Sequence, residues 1–190
     1  SSTNVDAVMG REFFQKCAVA VALALLLMIV YIALRFRVMD GWSAGVMAAL
    51  VLLHDVIVVY ATFVLCGFPI NDSFIAVALT ILGYSINATI VIYDRIRENR
   101  RLLGAKVSLS ELVNLSINQS LGRTAGTSFS TILAMVVVAV MGWVYGLSSI
   151  VTFAFPLIMG LVSGLYSSVC LAGPLWVFWE ERGKKGKKRG

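Results

Sequence analysis

Long apolar stretches separated by short polar segments dominate the chain. Residues 13–36, 42–65 and 73–95 each have the length and composition of a helix that crosses a bilayer, which needs about 20 mostly apolar residues. Thr124 to Trp179 follows without a charged side chain, and as one helix it would be about 84 Å long at about 1.5 Å per residue. Because that length exceeds one bilayer crossing, this stretch is expected to hold two spans.

The break between those two spans is expected at Gly142 to Ser148, where glycines and interfacial aromatic residues coincide. The two spans then cover residues 124–142 and 149–178, and the membrane domain as a whole covers residues 13–179. The predicted fold class is therefore an all-α integral membrane protein with five transmembrane helices.

Residues 96–122 are predicted to form a loop that contains one short helix. Ser108 and Glu111 match a capping box, in which the two side chains satisfy each other's backbone N–H groups at the start of a helix. The apolar residues that follow share one broad face, which favours a helix lying on the membrane surface. The alternative is a plain connecting helix without lipid contact.

Composition supports the membrane assignment. The 190 residues are 59% hydrophobic and 14% charged, against about 25% charged in soluble domains, and the mean hydropathy is +0.88. The net charge of +6 lies in short segments between apolar runs and in a basic tail at 180–190, so no nucleic-acid partner is expected. Cys17, Cys66 and Cys170 are widely spaced and odd in number, which predicts neither a disulfide framework nor a metal site.

The distribution of Lys and Arg predicts the topology. One set of connections contains nearly all of these residues, whereas the other contains only Arg11 and Lys16. Since basic residues mark the cytoplasmic side, the amino terminus is expected outside and the carboxyl terminus inside. An odd number of spans with an exterior start also leads us to expect a further helix upstream.

Asp55 is the carboxylate placed deep inside a predicted span. It lies about 21 Å along the helix from Gly41 at about 1.5 Å per residue, and a charge at that depth costs about 3 kcal/mol on insertion scales. It is therefore a candidate for ion coupling, with a helix-packing carboxyl as the alternative. Its neighbour His54 points about 100° away on the helix and need not share its site.

Small and polar residues form a stripe on the third span. Gly83 and Asn87 are four residues apart, and Thr80 and Asp94 extend the same face. Such a stripe suits close contact with another helix, so packing is one interpretation. The other is that Asn87 hydrogen-bonds an ion-carrying group near the middle of the membrane.

Arg123 and two glycines mark the last two spans. Thr127, Ser130 and Thr131 follow Arg123 on one face, so the arginine either heads a polar path or only extends to the interface. Gly160 and Gly164 form a small-residue seam suited to tight helix packing, and Pro156 is expected to kink the helix above it.

Sequence motifs of known catalytic centres are absent. The chain has no H-E-x-x-H, no Gly-rich phosphate loop and no cysteine pair at metal spacing. We therefore expect no enzyme activity, no cofactor and no metal.

Three segments resemble a known family. GYSINATIVIYDRIREN at Gly83 to Asn99, LLHDVIV at Leu52 to Val58 and GRTAGTSFST at Gly122 to Thr131 are similar to SecF, the membrane subunit family of the bacterial SecDF protein-export complex. SecF belongs to the resistance-nodulation-division superfamily. The resemblance implies that the chain is helices two to six of a six-helix transporter-like half, with residues 1–12 as the end of an exported domain.

The resemblance also implies functional residues. Arg123 matches an arginine implicated in ion conduction, and Asp55 matches the Asp of a His-Asp pair. The end of the signature helix on the cytoplasmic side corresponds to Asp94, Arg95, Arg97, Glu98 and Asn99. At one position the chain departs from the family, because Ala88 stands where an Asp usually follows Ser-Ile-Asn. Ala88 cannot titrate, so the carrier role falls to the partner SecD or to Asp55, or the chain is uncoupled.

The function implied is that of an accessory translocase subunit in the bacterial inner membrane. It would work with SecD and the SecYEG channel on an exported preprotein, using the proton or sodium gradient, while also contacting membrane lipid. Two alternatives remain open: a small-molecule or lipid exporter of the same superfamily, and a scaffold subunit that conducts no ions.

Overall fold

The computed structural model describes the backbone of residues 2–36 and 41–187, with side chains for residues 15–36, 41–104 and 106–183. This part of the chain is helical and contains no strand. Its α-helices are α1 (Ser2–Arg35), α2 (Gly41–Leu65), α3 (Asp72–Leu103), α4 (Leu109–Val144), α5 (Ser148–Ser167) and α6 (Gly173–Lys187). The connection between the first two predicted spans, residues 37–40, lies outside the described residues.

Five segments are long and apolar enough to cross a membrane, which confirms the predicted all-α fold with five spans. The first covers Gln15–Arg35, the carboxyl-terminal part of α1, and α2, α3 and α4 supply one each. The fifth, Ser148–Gly183, combines α5 with most of α6. Residues 2–12 are helical and continuous with the first span.

The third helix extends past the expected end of its span at residue 95. It begins at an N-cap where the Asn71 side chain accepts a hydrogen bond from the Ser73 N–H, and it ends at Gly104, whose φ of +59° suits a glycine. Residues 96–103 are therefore helix and not loop, because ion pairs three residues apart continue the helix beyond its apolar part.

The predicted loop at 96–122 with a separate short helix is wrong in its second half as well. The capping box at Ser108 and Glu111 is present, but the helix that it starts continues without a break to Val144. The physical reason is a buried stripe that repeats every four residues and continues into the fourth span: Leu112, Ser116, Ser120, Thr124 and Ser128. This segment thus packs on its own chain, where the side chains of Val113 and Ile117 face Gly173.

The break between the last two spans is at the predicted place. Leu147 N–H donates to the Gly142 carbonyl at 2.8 Å, and Gly146 takes a φ of +68° that completes the turn. Gly142 also packs directly on Ile150, since a Cβ atom at Gly142 would lie 2.9 Å from the Ile150 side chain. A larger residue at 142 would push α4 and α5 apart.

The fifth span contains Pro156, which was singled out in the sequence, and a π-helical turn that the sequence did not indicate. Pro156 lies buried within α5, and a π-helical turn at Ser168–Ala172 joins α5 to α6. Such turns hold one residue more per hydrogen-bonded ring than an α-helix and are frequent at functional sites.

The core lies where α2, α3 and α5 meet. Its aromatic side chains contact one another edge to face, as between Phe36 and Tyr93 at one end and between Phe63 and Phe74 at the other. By contrast, the most apolar windows of α1 and α4 are only 17% and 11% buried. These two helices therefore present long apolar faces outward, as helices in contact with lipid or with another membrane helix do.

Candidate functional site

Asp55 lies in α2 with no exposed surface, and three serine hydroxyls donate hydrogen bonds to its carboxylate. Ser85 in α3 donates to Oδ2 at 2.6 Å, Ser167 in α5 to the same oxygen at 2.8 Å, and Ser163 in α5 to Oδ1 at 2.7 Å. Hydrogen bonds to a charged group are the strong ones, so these donors offset the cost of burying the carboxylate. We call Asp55, Ser85, Ser163 and Ser167 the Asp55 cluster.

His54 contacts the cluster although it faces another direction on the helix. Its Nδ1 lies 3.3 Å from Asp55 Oδ1, while 43% of its side chain remains exposed. The structure therefore brings together two neighbours that helical geometry alone separates. His54 links the buried carboxylate to the outside of the bundle.

A second layer of hydroxyls connects the cluster to the π-helical turn. The backbone carbonyl of Ser85 accepts hydrogen bonds from Thr89 at 3.2 Å and from Ser168 at 3.3 Å, and those two hydroxyls lie 3.1 Å apart. Ser168 is the first residue of the turn. The polar interior thus extends from α2 through α3 to the point where the fifth span changes its helical register.

Ser163 and Ser167 were missed by sequence reasoning. Their four-residue spacing places both hydroxyls on one face of α5, next to the Gly160 and Gly164 seam that was recognised. The spacing could have indicated a polar face, but it could not show that this face meets Asp55.

Asn87 and Arg123 line a second polar region. They border a recess of about 250 Å³ between α3 and α4. We call this the Asn87 recess, and its walls are formed by Tyr84, Asn87, Ala88, Val91, Arg123, Thr124 and Thr127. Ala88 is 8% exposed and supplies no polar atom at the position where the resembling family usually has an Asp.

Polar groups in the recess are only partly satisfied. Within the described chain Asn87 and Arg123 make no side-chain hydrogen bond or ion pair, and the buried Thr124 Oγ1 has no partner. Tyr84 is the exception, because its hydroxyl donates to Ser128 at 3.0 Å.

Thr127 and Thr131 donate to backbone carbonyls of their own helix. Ser130 does the same, so this line of hydroxyls does not continue the recess as a hydrogen-bonded chain.

The glycines singled out in the sequence lie in different surroundings. A Cβ atom at Gly160 would lie 2.6 Å from Ile81 and 2.8 Å from Val59, and one at Gly164 would lie 3.3 Å from Ser85. These two glycines therefore allow α5 to approach α2 and α3. Gly83 has nothing within 4 Å of such an atom and lies on an exposed face, one turn before Asn87.

Charged residues at the end of α3 connect three helices. Asp94 pairs with Arg35 of α1 at 3.2 Å and with Arg97 at 2.9 Å. Arg95 pairs with Glu98 at 2.6 Å, and its Nε donates to Gln119 of α4 at 2.8 Å.

Asn99 completes this set of contacts. Its amide donates to Ser116 and to Gln119, at 2.8 Å in each case, and both acceptors lie on α4. The signature segment Asp94 to Asn99 thus holds the ends of α1, α3 and α4 together. A cavity of about 610 Å³, lined by Arg97, Arg101 and Arg123 among others, opens beside it.

No group of three or more potential metal ligands occurs among the residues that the structure describes. Within the same residues Cys17, Cys66 and Cys170 are free thiols, of which Cys66 and Cys170 are exposed.

Comparisons with known proteins identify the family to which the chain belongs. A family model described as protein export membrane protein SecD/SecF, C-terminal, matches residues 1–182. The chain is 39% identical over 187 residues to the protein translocase subunit SecF of Alicyclobacillus acidocaldarius, covering 98% of this chain and 59% of the relative. It is 40% identical to SecF of Sebaldella termitidis over 97% of this chain and 57% of the relative.

Solved structures agree with these relatives. The chain is similar to the crystal structure of SecDF from Thermus thermophilus, described as a translocon-associated membrane protein, with a TM-score of 0.78 and 39% identity. The match covers 87% of this chain and 22% of that one. A SecDF structure in a super-membrane-facing form matches with a TM-score of 0.76, over 87% of this chain and 21% of that one. The chain thus spans about three fifths of the length of the SecF relatives and a smaller part of SecDF.

Proposed function

Because the chain belongs to the SecD/SecF family of protein-export membrane proteins, we propose that it is the membrane segment of an ion-driven accessory subunit of the Sec translocase. Working with SecD, the subunit uses the transmembrane proton or sodium gradient to promote late steps in the export of a preprotein through SecYEG. The amino-terminal end of the segment lies outside the cell and the basic end inside, in accord with the distribution of Lys and Arg.

One structural observation supports ion coupling independently of family membership. Asp55 is a fully buried carboxyl group in the middle of a membrane span, with three hydroxyl donors from two other helices. Ionisable groups at that depth are expensive and typically mark ion pathways.

The partner surface is proposed at the Asn87 recess. Gly83 and Asn87 lie on an exposed face of α3, and Arg123 faces the same recess from α4. A polar membrane surface of this kind requires polar partners, which a helix of SecD bearing a carboxylate would supply to Arg123. In that arrangement the carboxylate missing at Ala88 is provided from the other subunit.

The test is export of a reporter protein in cells whose only SecF is the full-length protein carrying this segment. We expect faster export than in cells without any SecF, and we expect a protonophore or sodium ionophore to remove the difference. Comparison with the cells lacking SecF under the same ionophore separates the coupled contribution from effects on the rest of the pathway. Normal membrane insertion without rescue would overturn the proposal.

A scaffold subunit that moves no ions is the second candidate, and Ala88 is the observation that favours it. It predicts rescue of export with an advantage that persists after the gradient is collapsed. The same experiment therefore distinguishes the two functions.

A further inference from the structure

We propose that Asp55 is the proton-binding group of this chain and that the serines bonded to it transmit its protonation to the π-helical turn of the fifth span. The proposal rests on the proposed function and specifies which residue carries the ion. It requires three things: a carboxyl that can change state in the membrane, a proton route, and an element that responds.

Asp55 is the carboxyl group suited to this role among the described residues. Ala88 has no titratable group, and Asp94 lies at the charged end of α3, paired with Arg35 and Arg97. Asp55 lies at the centre of the bundle without exposed surface. A change in the charge of Asp55 acts strongly on the neighbouring groups, because the buried surroundings are poor in water and in other charges.

A change of state at Asp55 must rearrange its neighbours. The ionised carboxylate accepts hydrogen bonds from Ser85, Ser163 and Ser167, whereas a protonated carboxyl must itself donate one. At least one serine hydroxyl therefore has to turn away or reverse. Ser167 already has an alternative acceptor, since the Gly164 carbonyl lies 3.3 Å from its hydroxyl.

The element that responds is the fifth span. Two of the three donors lie on α5, and Ser167 immediately precedes the π-helical turn at Ser168–Ala172. The Ser168 hydroxyl donates a hydrogen bond to the Ser85 carbonyl, so α3 and the turn are linked to the same cluster. A π-helical turn can exchange with α-helical register, and the exchange would rotate and translate the helix that follows it.

The proton route passes through His54. Its Nδ1 lies 3.3 Å from Asp55 Oδ1, and its ring is 43% exposed. The imidazole takes a proton at Nε2 from a hydronium ion or a protonated SecD group at the outer face of the bundle and, as imidazolium, gives the proton on Nδ1 to Oδ1, so that one N–H bond forms, one breaks and one O–H bond forms. In the described chain, α3 and α5 place only the hydroxyls of the cluster on Asp55, so His54 is its one titratable contact.

A proton fits this site better than a sodium ion does. Both carboxylate oxygens are within 2.6–2.8 Å of serine oxygens, and a Cβ atom at Gly164 would lie 3.7 Å from Asp55 Oδ2. A metal ion would need several oxygen ligands arranged around free space, whereas a proton needs a single oxygen.

Two natural cysteines allow the response to be measured. Cys170 lies exposed in the π-helical turn, and Cys66 lies exposed just past the carboxyl-terminal end of α2. In the full-length protein, with Cys17→Ala and any other cysteines replaced, spin labels at these positions report the distance between α2 and the turn by electron–electron double resonance in vesicles containing SecD.

We expect the Cys66–Cys170 distance distribution to change between acidic and alkaline pH at constant sodium, and to be insensitive to sodium at constant pH. Asp55→Asn should show one distribution at every pH, while Asp72→Asn, at the exposed start of α3, should respond as the parent does. His54→Gln should retain both end states but approach them more slowly after a pH jump. If Asp55→Asn does not fold, Ser167→Ala should shift the pH of the transition instead.

A pH-dependent shift that persists in Asp55→Asn, or a shift driven by sodium, would overturn the inference. So would a single distribution at all pH values in the parent protein. None of these results depends on export. If the shift is present and Asp55-dependent while export proceeds without a gradient, the proposed function fails and the proton-binding site stands.

Discussion

The Asp55 cluster and the Asn87 recess both contain polar side chains within an apolar helix bundle. The two differ in whether the chain itself supplies hydrogen-bond partners for those side chains. Asp55 has no exposed surface, and hydroxyls from two other helices of the same chain donate to it. Asn87 is exposed, and in the described chain neither its amide nor the Arg123 guanidinium has a side-chain partner.

This difference separates what the chain can do alone from what it needs a partner for. A polar group that is fully bonded within one chain can change state without a second subunit. A polar group left open in a membrane needs a partner helix or interfacial water, because hydrocarbon cannot satisfy it. We therefore propose ion binding at the cluster and partner docking at the recess, and each prediction below tests one side of that proposal.

The largest effect is expected from replacing Gly160, which lies in the packed interior, and it should differ from the effect of replacing Gly83 on the proposed docking face. Gly160→Leu should remove the folded protein, since its Cβ alone would lie 2.6 Å from Ile81, and overpacking of this kind costs about 3 kcal/mol. Gly83→Leu should fold normally, having nothing within 4 Å, yet should lose association with SecD. Membrane abundance and co-purification measure the two outcomes. Normal abundance of Gly160→Leu would contradict the packing described here.

Arg123→Met should lower stimulation of export to the level of cells without the protein, with little loss of abundance. The reason is that Arg123 is exposed at the recess and makes no side-chain contact within the described chain that folding would need. Reporter export and immunoblotting of the membrane fraction measure both quantities. Arg101→Met, at the same end of the bundle but outside the recess, is the matched control. Full activity of Arg123→Met would mean that this arginine serves only as an anchor at the membrane interface.

Ser85→Ala should destabilise the protein by about 1–3 kcal/mol, because it removes a hydrogen bond from a buried carboxylate. Titration of the folded protein with sodium dodecyl sulfate in mixed micelles measures the change. The loss should be larger at alkaline than at acidic pH, since an ionised carboxylate needs its donors more than a protonated one does. An equal loss at both ends of the pH range would argue against a change of state at Asp55.

Tyr84→Phe, one residue earlier, should have the smallest effect, about 1 kcal/mol or less. Its hydroxyl donates to Ser128 across the recess in a bond between two uncharged groups. The same unfolding titration applies, and this change should not depend on pH. A larger cost for Tyr84→Phe than for Ser85→Ala would reverse the distinction between recess and cluster.

The sequence predicted the spans because hydrocarbon thickness imposes a length on apolar helices, and a break such as Gly142 to Ser148 carries its own turn residues. It predicted Asp55 as a candidate for the same reason, since a carboxylate in an apolar run is conspicuous. It could not identify Ser163 and Ser167 as the donors, because their roles depend on how α5 is rotated and how far it is shifted against α2. Serines are also unremarkable in membrane helices.

Two further features could not be predicted from local sequence patterns. The capping box at Ser108 and Glu111 predicted where a helix begins, but not that this helix continues into the fourth span, because the buried residues that join the two segments are identified only by packing. Gly83 and Gly160 look alike in sequence, yet one faces open space and the other touches Ile81 and Val59. Only the packed structure distinguishes an exposed glycine from a core glycine.

The most direct test of the assignment is proton entry into vesicles that contain the full-length protein assembled with SecD, driven by an imposed pH gradient. Our account predicts proton uptake by the parent and by Asp72→Asn, and none above the leak of empty vesicles by Asp55→Asn. Uptake by Asp55→Asn at the parent's rate would contradict it, because the proton would then cross without the buried carboxyl of this chain.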